Sequence, residues 1–330
     1  MTVSFVINHK PGQVSEETRE RVLKAVRELN YRPTAVGRSA RLAEERQIHT
    51  LGAVVGVPGD SLVQPGYFSA ILNSLLQGAD ALGQNVTLFN HSLLHRDAHR
   101  AIRVYCDGRC DGLLVVAPRI GSELVAAVRE RGVPITLIGD TGDDEAVSCV
   151  DIDNEGAAYT LVTHLITLGH QRIVFIGGPA FVRSSQQRLA GYRRALSDHD
   201  LPLETGFVID NLFHSHQIDA QVGALMSMPL PKRPTALFGW NDGTATDAAH
   251  RLQRMGLRIP DDVSVVGIDD LEAFTINPPL TTVAQPFRTM GRRAVEALVA
   301  QINRTEKAPR HVLPGELMIR ASTGPPPDTH

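Results

Sequence analysis

The feature that most constrains this chain is a regular exchange of strand-like and helix-like runs, which begins at Ile48 and continues almost to the C-terminus. Its first series of apolar runs is LGAVVGV (51–57), NVTLFN (85–90), GLLVVAP (112–118) and PITLIGD (134–140), separated by amphipathic stretches near 68–83, 96–106 and 120–131. A second series follows: SCVDID (148–153), RIVFIGG (172–178), GFVID (206–210), TALFGW (235–240) and VSVVGID (263–269), with helical patterns near 154–168, 185–198, 215–227 and 242–255. Strands alternating with helices of this length predict parallel sheets covered on both faces. Two series predict two doubly wound α/β subdomains. In such sheets ligands bind beyond the carboxyl ends of the strands, here in the cleft between the halves. HVLPGELMIRAST (311–323) reads as closing strands, and the last residues, 324–330, as a frayed tail.

The segment before Ile48 is different. Residues 1–47 hold nine Lys/Arg and six Glu, a surplus of +3, which leaves −6 for the rest of a chain whose net charge is −3. A small basic head on an acidic body suits attraction to phosphate at one end. Residues 2–8 favour a short helix that Pro11-Gly12 ends. Ser15 caps the next, with Glu16 and Glu17 complementing its dipole, and Val22, Ala25, Val26 and Leu29 give residues 15–30 one apolar face. Asn30-Tyr31-Arg32-Pro33 breaks that helix, and 34–47 reads as a linker.

Several function classes are excluded or weakened. No run approaches the roughly 18 apolar residues of a membrane span, and no signal-peptide core opens the chain, so a cytoplasmic protein is expected. Cys106, Cys110 and Cys149 read as free thiols; Cys106 and Cys110 fall at helical spacing, but nothing completes a metal set. There is no phosphate-binding Walker loop, nucleophile elbow or paired metal motif, so neither catalysis nor a cofactor is expected. Other positions read as scaffold. Asn154 caps the helix near 154–168, Gly169 ends that helix where φ > 0 is wanted, and Pro260-Asp261-Asp262 turns the chain into a strand.

The motifs LGHQRIVFIGGP (168–179), QRLAGYRRAL (187–196), FGWNDGTATDAA (238–249), GLRIPDDVSVVGIDD (256–270) and PPLTTVAQP (278–286) occur in one order. Together with TVSFVIN (2–8) and SEETRERVLKAVRELNYRP (15–33), they make the chain resemble the lactose-repressor (LacI/GalR) family over residues 2–323. The resemblance implies two sheet subdomains of the type I periplasmic-binding-protein kind, preceded by a small all-α helix-turn-helix head. It places the head at 1–33, a hinge at 34–47 and the effector-binding and dimerisation domain at 48–323. Within that domain the N-subdomain is expected at about 48–147 plus 275–305, and the C-subdomain at about 148–274 plus 306–323.

The same resemblance implies effector contacts from Phe68, Ser184, Arg188, Phe213, Asn241 and Asp269. An Arg fork and a carboxylate suit neighbouring hydroxyls of a sugar or the polar edge of a base. The plainer alternatives are that Asn241 caps its helix, that Asp269 pairs with Arg188 to brace the hinge, and that Phe68 and Phe213 are core. Gly139 stands where sugar-binding relatives often carry Asp, and Asp140, one residue later, is expected to turn away from the cleft.

For the head, the resemblance implies DNA contacts from Thr2, Val3, Ser4, Phe5 and Asn8 in the major groove, and from Arg38, Ser39 and Ala40 at the hinge. Two departures stand out. Ala40 occupies the place of a leucine wedge that kinks the minor groove, and Leu42 lies on another side of the helix. The first helix of the motif has no counterpart, which suggests a start upstream or a truncation. The expected function is a ligand-responsive repressor, a homodimer or tetramer on a pseudo-palindromic operator, with a carbohydrate effector. The alternatives are a cytoplasmic sensor without DNA binding, or a solute-binding protein.

Overall fold

The computed structural model describes Val6 and residues 14–28, 47–55, 66–90, 98–142, 144–209 and 215–327. The chain forms two compact units, Met1–Ile48 and His49–His330. Thr2, Val3, Ser4, Phe5, Asn8, Arg38, Ser39, Ala40 and Phe213 lie outside the described residues. In the first unit Val6 is helical and buried. Helix α1 (Glu16–Glu28) starts as expected, with the Ser15 hydroxyl accepting from the Thr18 amide at 3.3 Å.

The second unit holds two six-stranded sheets. The first contains β1 (Thr50–Val55), β2 (Asn85–Asn90), β3 (Gly112–Val116), β4 (Ile135–Ile138), β5 (Ser148–Ile152) and β11 (Arg310–Leu313), in the order β11-β5-β4-β3-β1-β2. The second contains β6 (Ile173–Ile176), β7 (Val208–Ile209), β8 (Ala236–Gly239), β9 (Ser264–Asp269), β10 (Thr281–Ala284) and β12 (Glu316–Met318), in the order β12-β10-β9-β8-β6-β7. The pairings are parallel except that of β10 with β12. Between the strands run α2 (Tyr67–Ala81), α3 (Ala98–Tyr105), α4 (Glu123–Glu130), α5 (Asn154–Thr167), α6 (Arg183–Asp198), α7 (Ser215–Met226), α8 (Asp242–Arg254) and α9 (Phe287–Ile302). Among the described residues no helix is long and apolar enough to cross a membrane.

Strand alternation explains the layering. In β3, Leu114 and Val116 join one apolar cluster with residues of α2 and α9, while Leu113 and Val115 join another with residues of α3 and α4. Successive side chains point to opposite faces, so a strand covered on both sides must be apolar throughout. The second sheet repeats the plan with α5 and α6 on one face and α7 and α8 on the other.

The two halves exchange strands at positions the sequence misplaced. SCVDID (148–153), expected in the second half, is β5 of the first sheet, beside β4. Residues 281–284, expected in the first half, are β10 of the second sheet, and 310–313, expected in the second, are β11 of the first. The buried strands β5 and β10 read as the same apolar runs whichever sheet they enter, so periodicity could not assign them. The chain therefore crosses between halves three times, at Asp153, at 285–286 and at 314–315.

Three smaller expectations change. The cap of α5 is Asp153, whose carboxylate accepts from the Gly156 amide at 2.8 Å, which frees Asn154 for other partners. Cys106 and Cys110 follow the end of α3 rather than sharing a helix, and all three cysteines are free. The expected frayed tail is anchored at its start. Buried His170 meets the Gly324 carbonyl through Nε2 at 2.9 Å and the Thr235 hydroxyl through Nδ1 at 2.8 Å. The carbonyl only accepts, so Nε2 carries the proton. Burial pushes this imidazole down to about 4, which keeps it neutral.

Candidate ligand-binding cleft

Close packing of two helices prepares the site. Gly191 on α6 faces the start of α5, where an added Cβ would strike the Glu155 carbonyl oxygen. Only a residue without Cβ lets the helices approach this closely. Their approach brings Arg188 on α6 to Asn154 on α5, and Arg188 Nε donates to Asn154 Oδ1 at 2.9 Å. Nη1 donates to the Trp240 carbonyl at 2.6 Å, and the guanidinium lies 5.4 Å from the Trp240 ring centre. Nη2 stands 3.8 Å from Asp269 Oδ1.

From Arg188 a polar chain runs both ways along the floor between the sheets. Asn154 Nδ2 donates to Asp151 Oδ2 at 2.9 Å, and Gln285 Nε2 donates to Asp269 Oδ1 at 2.6 Å. The chain thus begins in β5, passes two helices, and ends beyond β10, next to two of the crossings between halves. Asp151 and Asp269 are both buried, and burial pushes each carboxyl up to about 7, against the pull of Arg188. The Tyr67 hydroxyl is raised above its ordinary value by burial, with Asp151 and Asp269 adding to the effect.

Tyr67, Asp151, Arg188, Trp240, Asp269 and Gln285 line a cleft of about 640 Å³, counted to its open mouth. Of the six effector residues expected, Phe68, Ser184, Arg188, Asn241 and Asp269 all line it. The plainer roles hold as well. Asn241 Oδ1 caps α8 by accepting from the Thr244 amide at 2.9 Å, Arg188 sits against Asp269, and Phe68 is 4% exposed. Its neighbour Asp242 turns away and accepts from the Thr282 hydroxyl at 2.6 Å. Gly139, at φ +72°, lines the cleft with the Tyr67 hydroxyl over it, while Asp140 points elsewhere, as the one-residue offset required.

The sequence missed Arg119, Asp151, Phe181, Trp240 and Gln285 as lining residues. Trp240 and Gln285 directly follow β8 and β10, and Arg119 and Phe181 lie in the loops beyond β3 and β6, where a doubly wound sheet places its ligands. Among the described residues, Gln285 Oε1 and Arg119 Nε are buried without a hydrogen-bond partner. Unmet polar atoms in such a place suit a ligand's donors and acceptors. Rings of Tyr67, Phe68, Phe181 and Trp240 offer apolar faces beside them.

Two mostly parallel sheets joined by three crossings, with a polar, ring-lined cleft between them, define a domain of the periplasmic-binding-protein kind. Residues 162–323 match the periplasmic binding protein-like domain, and residues 1–34 match the bacterial regulatory proteins of the lacI family. The chain is 35% identical over 313 residues to the HTH-type transcriptional repressor PurR of Vibrio campbellii, covering 94% of this chain and 90% of that protein. The PurR of Vibrio parahaemolyticus is 34% identical over 323 residues, covering 97% and 93%. Among solved structures, the transcriptional regulator CelR in complex with cellobiose matches with a TM-score of 0.76 and 31% identity, over 97% of this chain and 94% of that one. The lac repressor dimer bound to operator and the anti-inducer ONPF matches with a TM-score of 0.76 and 28% identity, over 98% and 94%. The chain belongs to the LacI family of bacterial regulatory proteins.

Proposed function

We propose that this chain is a transcriptional repressor whose operator affinity is set by a small polar ligand, a sugar, held in the cleft. The observation that carries this reading is Arg188, fixed between the ends of β8 and β9 with unmet polar atoms of Arg119 and Gln285 in the same cleft. A pyranose presents C–H faces to the rings and hydroxyls to the Arg188, Asp269 and Gln285 groups. The cellobiose complex of CelR favours that class. A nucleoside is the second candidate, favoured by the four aromatic rings of the lining.

Repression follows from linkage. A ligand that prefers one arrangement of the two halves shifts the population of a homodimer, and with it the grip of the heads on a pseudo-palindromic operator. Thr2, Val3, Ser4, Phe5 and Asn8 are assigned to the head contacts, and Arg38, Ser39 and Ala40 to the hinge contacts.

The test has two stages. Thermal-shift screening of carbohydrates and nucleosides on the whole chain should give a hit in one class, because a cleft ligand stabilises by mass action. Operator binding is then measured across a salt series with and without the hit. A hit that changes operator affinity supports the proposal. A hit with no operator binding leaves a sensor that does not read DNA.

A further inference from the structure

A second polar link joins the halves outside the cleft lining. Asp140 follows β4 in the first half, and Arg183 opens α6 in the second. Arg183 Nε donates to Asp140 Oδ1 at 2.6 Å. Their side chains are 16% and 5% exposed, so the pair is shielded from the salt screening that weakens surface bridges. Neither residue lines the cleft.

The position of Arg183 is costly for its helix. A cation in the first turn opposes the helix dipole, and the preceding Val182 supplies no side-chain cap. The arginine therefore serves the contact across the rim rather than the helix that carries it. Asp140 is fixed in turn, since the same Oδ1 accepts from the Gly142 amide at 2.6 Å. Two further contacts cross the same rim. The Ile120 amide of the first half donates to the Phe181 carbonyl of the second at 2.9 Å, and the Arg119 guanidinium lies 4.0 Å from the Phe181 ring centre.

We infer that Asp140 and Arg183 form a latch that holds this rim of the cleft closed without any ligand. They are positioning residues: they touch no ligand, but they set how much of the chain is already in the closed arrangement. A ligand binding that arrangement then meets a larger competent fraction, and its apparent affinity rises by that factor. The inference goes beyond the proposed function and does not depend on which ligand the cleft takes.

The test uses the ligand-free whole chain and reads hydrogen exchange at single amides. Ile120 reports the rim. Gly139, bonded to the Val150 carbonyl, and Trp240, bonded to the Ile176 carbonyl, report hydrogen bonds made within each half. Arg183→Gln and Asp140→Asn should each speed exchange at Ile120 roughly ten-fold or more, the scale of one buried charge-assisted hydrogen bond, with Gly139 and Trp240 unmoved. Asparagine keeps an acceptor for the Gly142 amide, so the change isolates the charge. The double variant should exchange no faster than the faster single, as for partners in one contact. An unmoved Ile120, equal acceleration at all three amides, or effects that multiply in the double variant would each overturn the latch.

Discussion

The two walls of the cleft are chemically unlike. The first half contributes Tyr67, Phe68, Ala117, Arg119, Gly139 and Asp151, a wall dominated by rings and small residues. The second contributes Ser184, Arg188, Asn241, Asp269 and Gln285 beside Phe181, Val182 and Trp240, and most of its polar groups already hold hydrogen bonds: Arg188 to Asn154, Asn241 to the Thr244 amide, and Gln285 to Asp269. The difference separates two tasks. On the proposed reading, recognition by hydrogen bonds is pre-organised on one side, and the other side mainly covers the ligand with apolar surface.

The largest expected effect comes from removing the centre of the polar wall. Arg188→Ala should abolish the thermal shift by the cleft ligand. It should also lower ligand-free stability by about 2–4 kcal/mol, because Asn154 and the Trp240 carbonyl lose their donor and Asp269 loses its counter-charge. Phe68→Leu, on the opposite wall, should weaken binding roughly ten-fold and keep the response. The reverse ranking in calorimetric titration would break the division of tasks.

Next in size is Gly139→Ala. Its positive φ and the Tyr67 hydroxyl both oppose a Cβ, so a loss of about 1–3 kcal/mol is expected in denaturant unfolding. Repeating the change on Tyr67→Phe should recover part of that loss. An equal loss in both backgrounds would leave backbone strain as the whole cause.

A smaller effect concerns pH. Asp151 has its folded value raised to about 7 from 3.8, so the folded chain binds the extra proton. Stability from this group is therefore fully present below about pH 4 and falls as pH rises towards 7; above 7 the full penalty of the buried charge remains. Between pH 6 and 8 Asp151 and Asp269, both raised to about 7, should each contribute a decline on the order of 1 kcal/mol, and Asp151→Asn should remove about half of the total. A slope unchanged in that variant would refute the assignment. The smallest effect is that of Ser184→Ala, with ligand affinity changing by less than about three-fold.

How legible this was in the sequence depended on the kind of signal. Each expected strand from 51 to 269 appears, because a run of β-branched and aliphatic residues between turn signals has few other uses. Arg188, Asn241 and Asp269 were expected in the cleft because the family resemblance marks them; Asn241 and Asp269 also stand at strand ends, while Arg188 lies within α6. Asp151 was hidden inside a buried strand, and Trp240 looked like the last apolar residue of TALFGW although β8 ends at Gly239. Gln285 carries no local signature, and only its place just beyond β10 could have pointed to it. The partner of Asp140 was illegible for a plainer reason. Forty-three residues separate it from Arg183, and no local pattern encodes a contact made by folding the halves together.

The exchange of strands at the C-terminal end has a consequence for how the protein is made. During synthesis the first sheet lacks its edge strand β11 until residues 310–313 emerge, long after β5, which it pairs, has left the ribosome. The second sheet waits in the same way for β12. Neither half is a continuous stretch of chain that can finish folding while the other is still being translated. The ligand cleft, whose floor holds Gln285 beside Asp269, is accordingly among the last parts of the molecule to form.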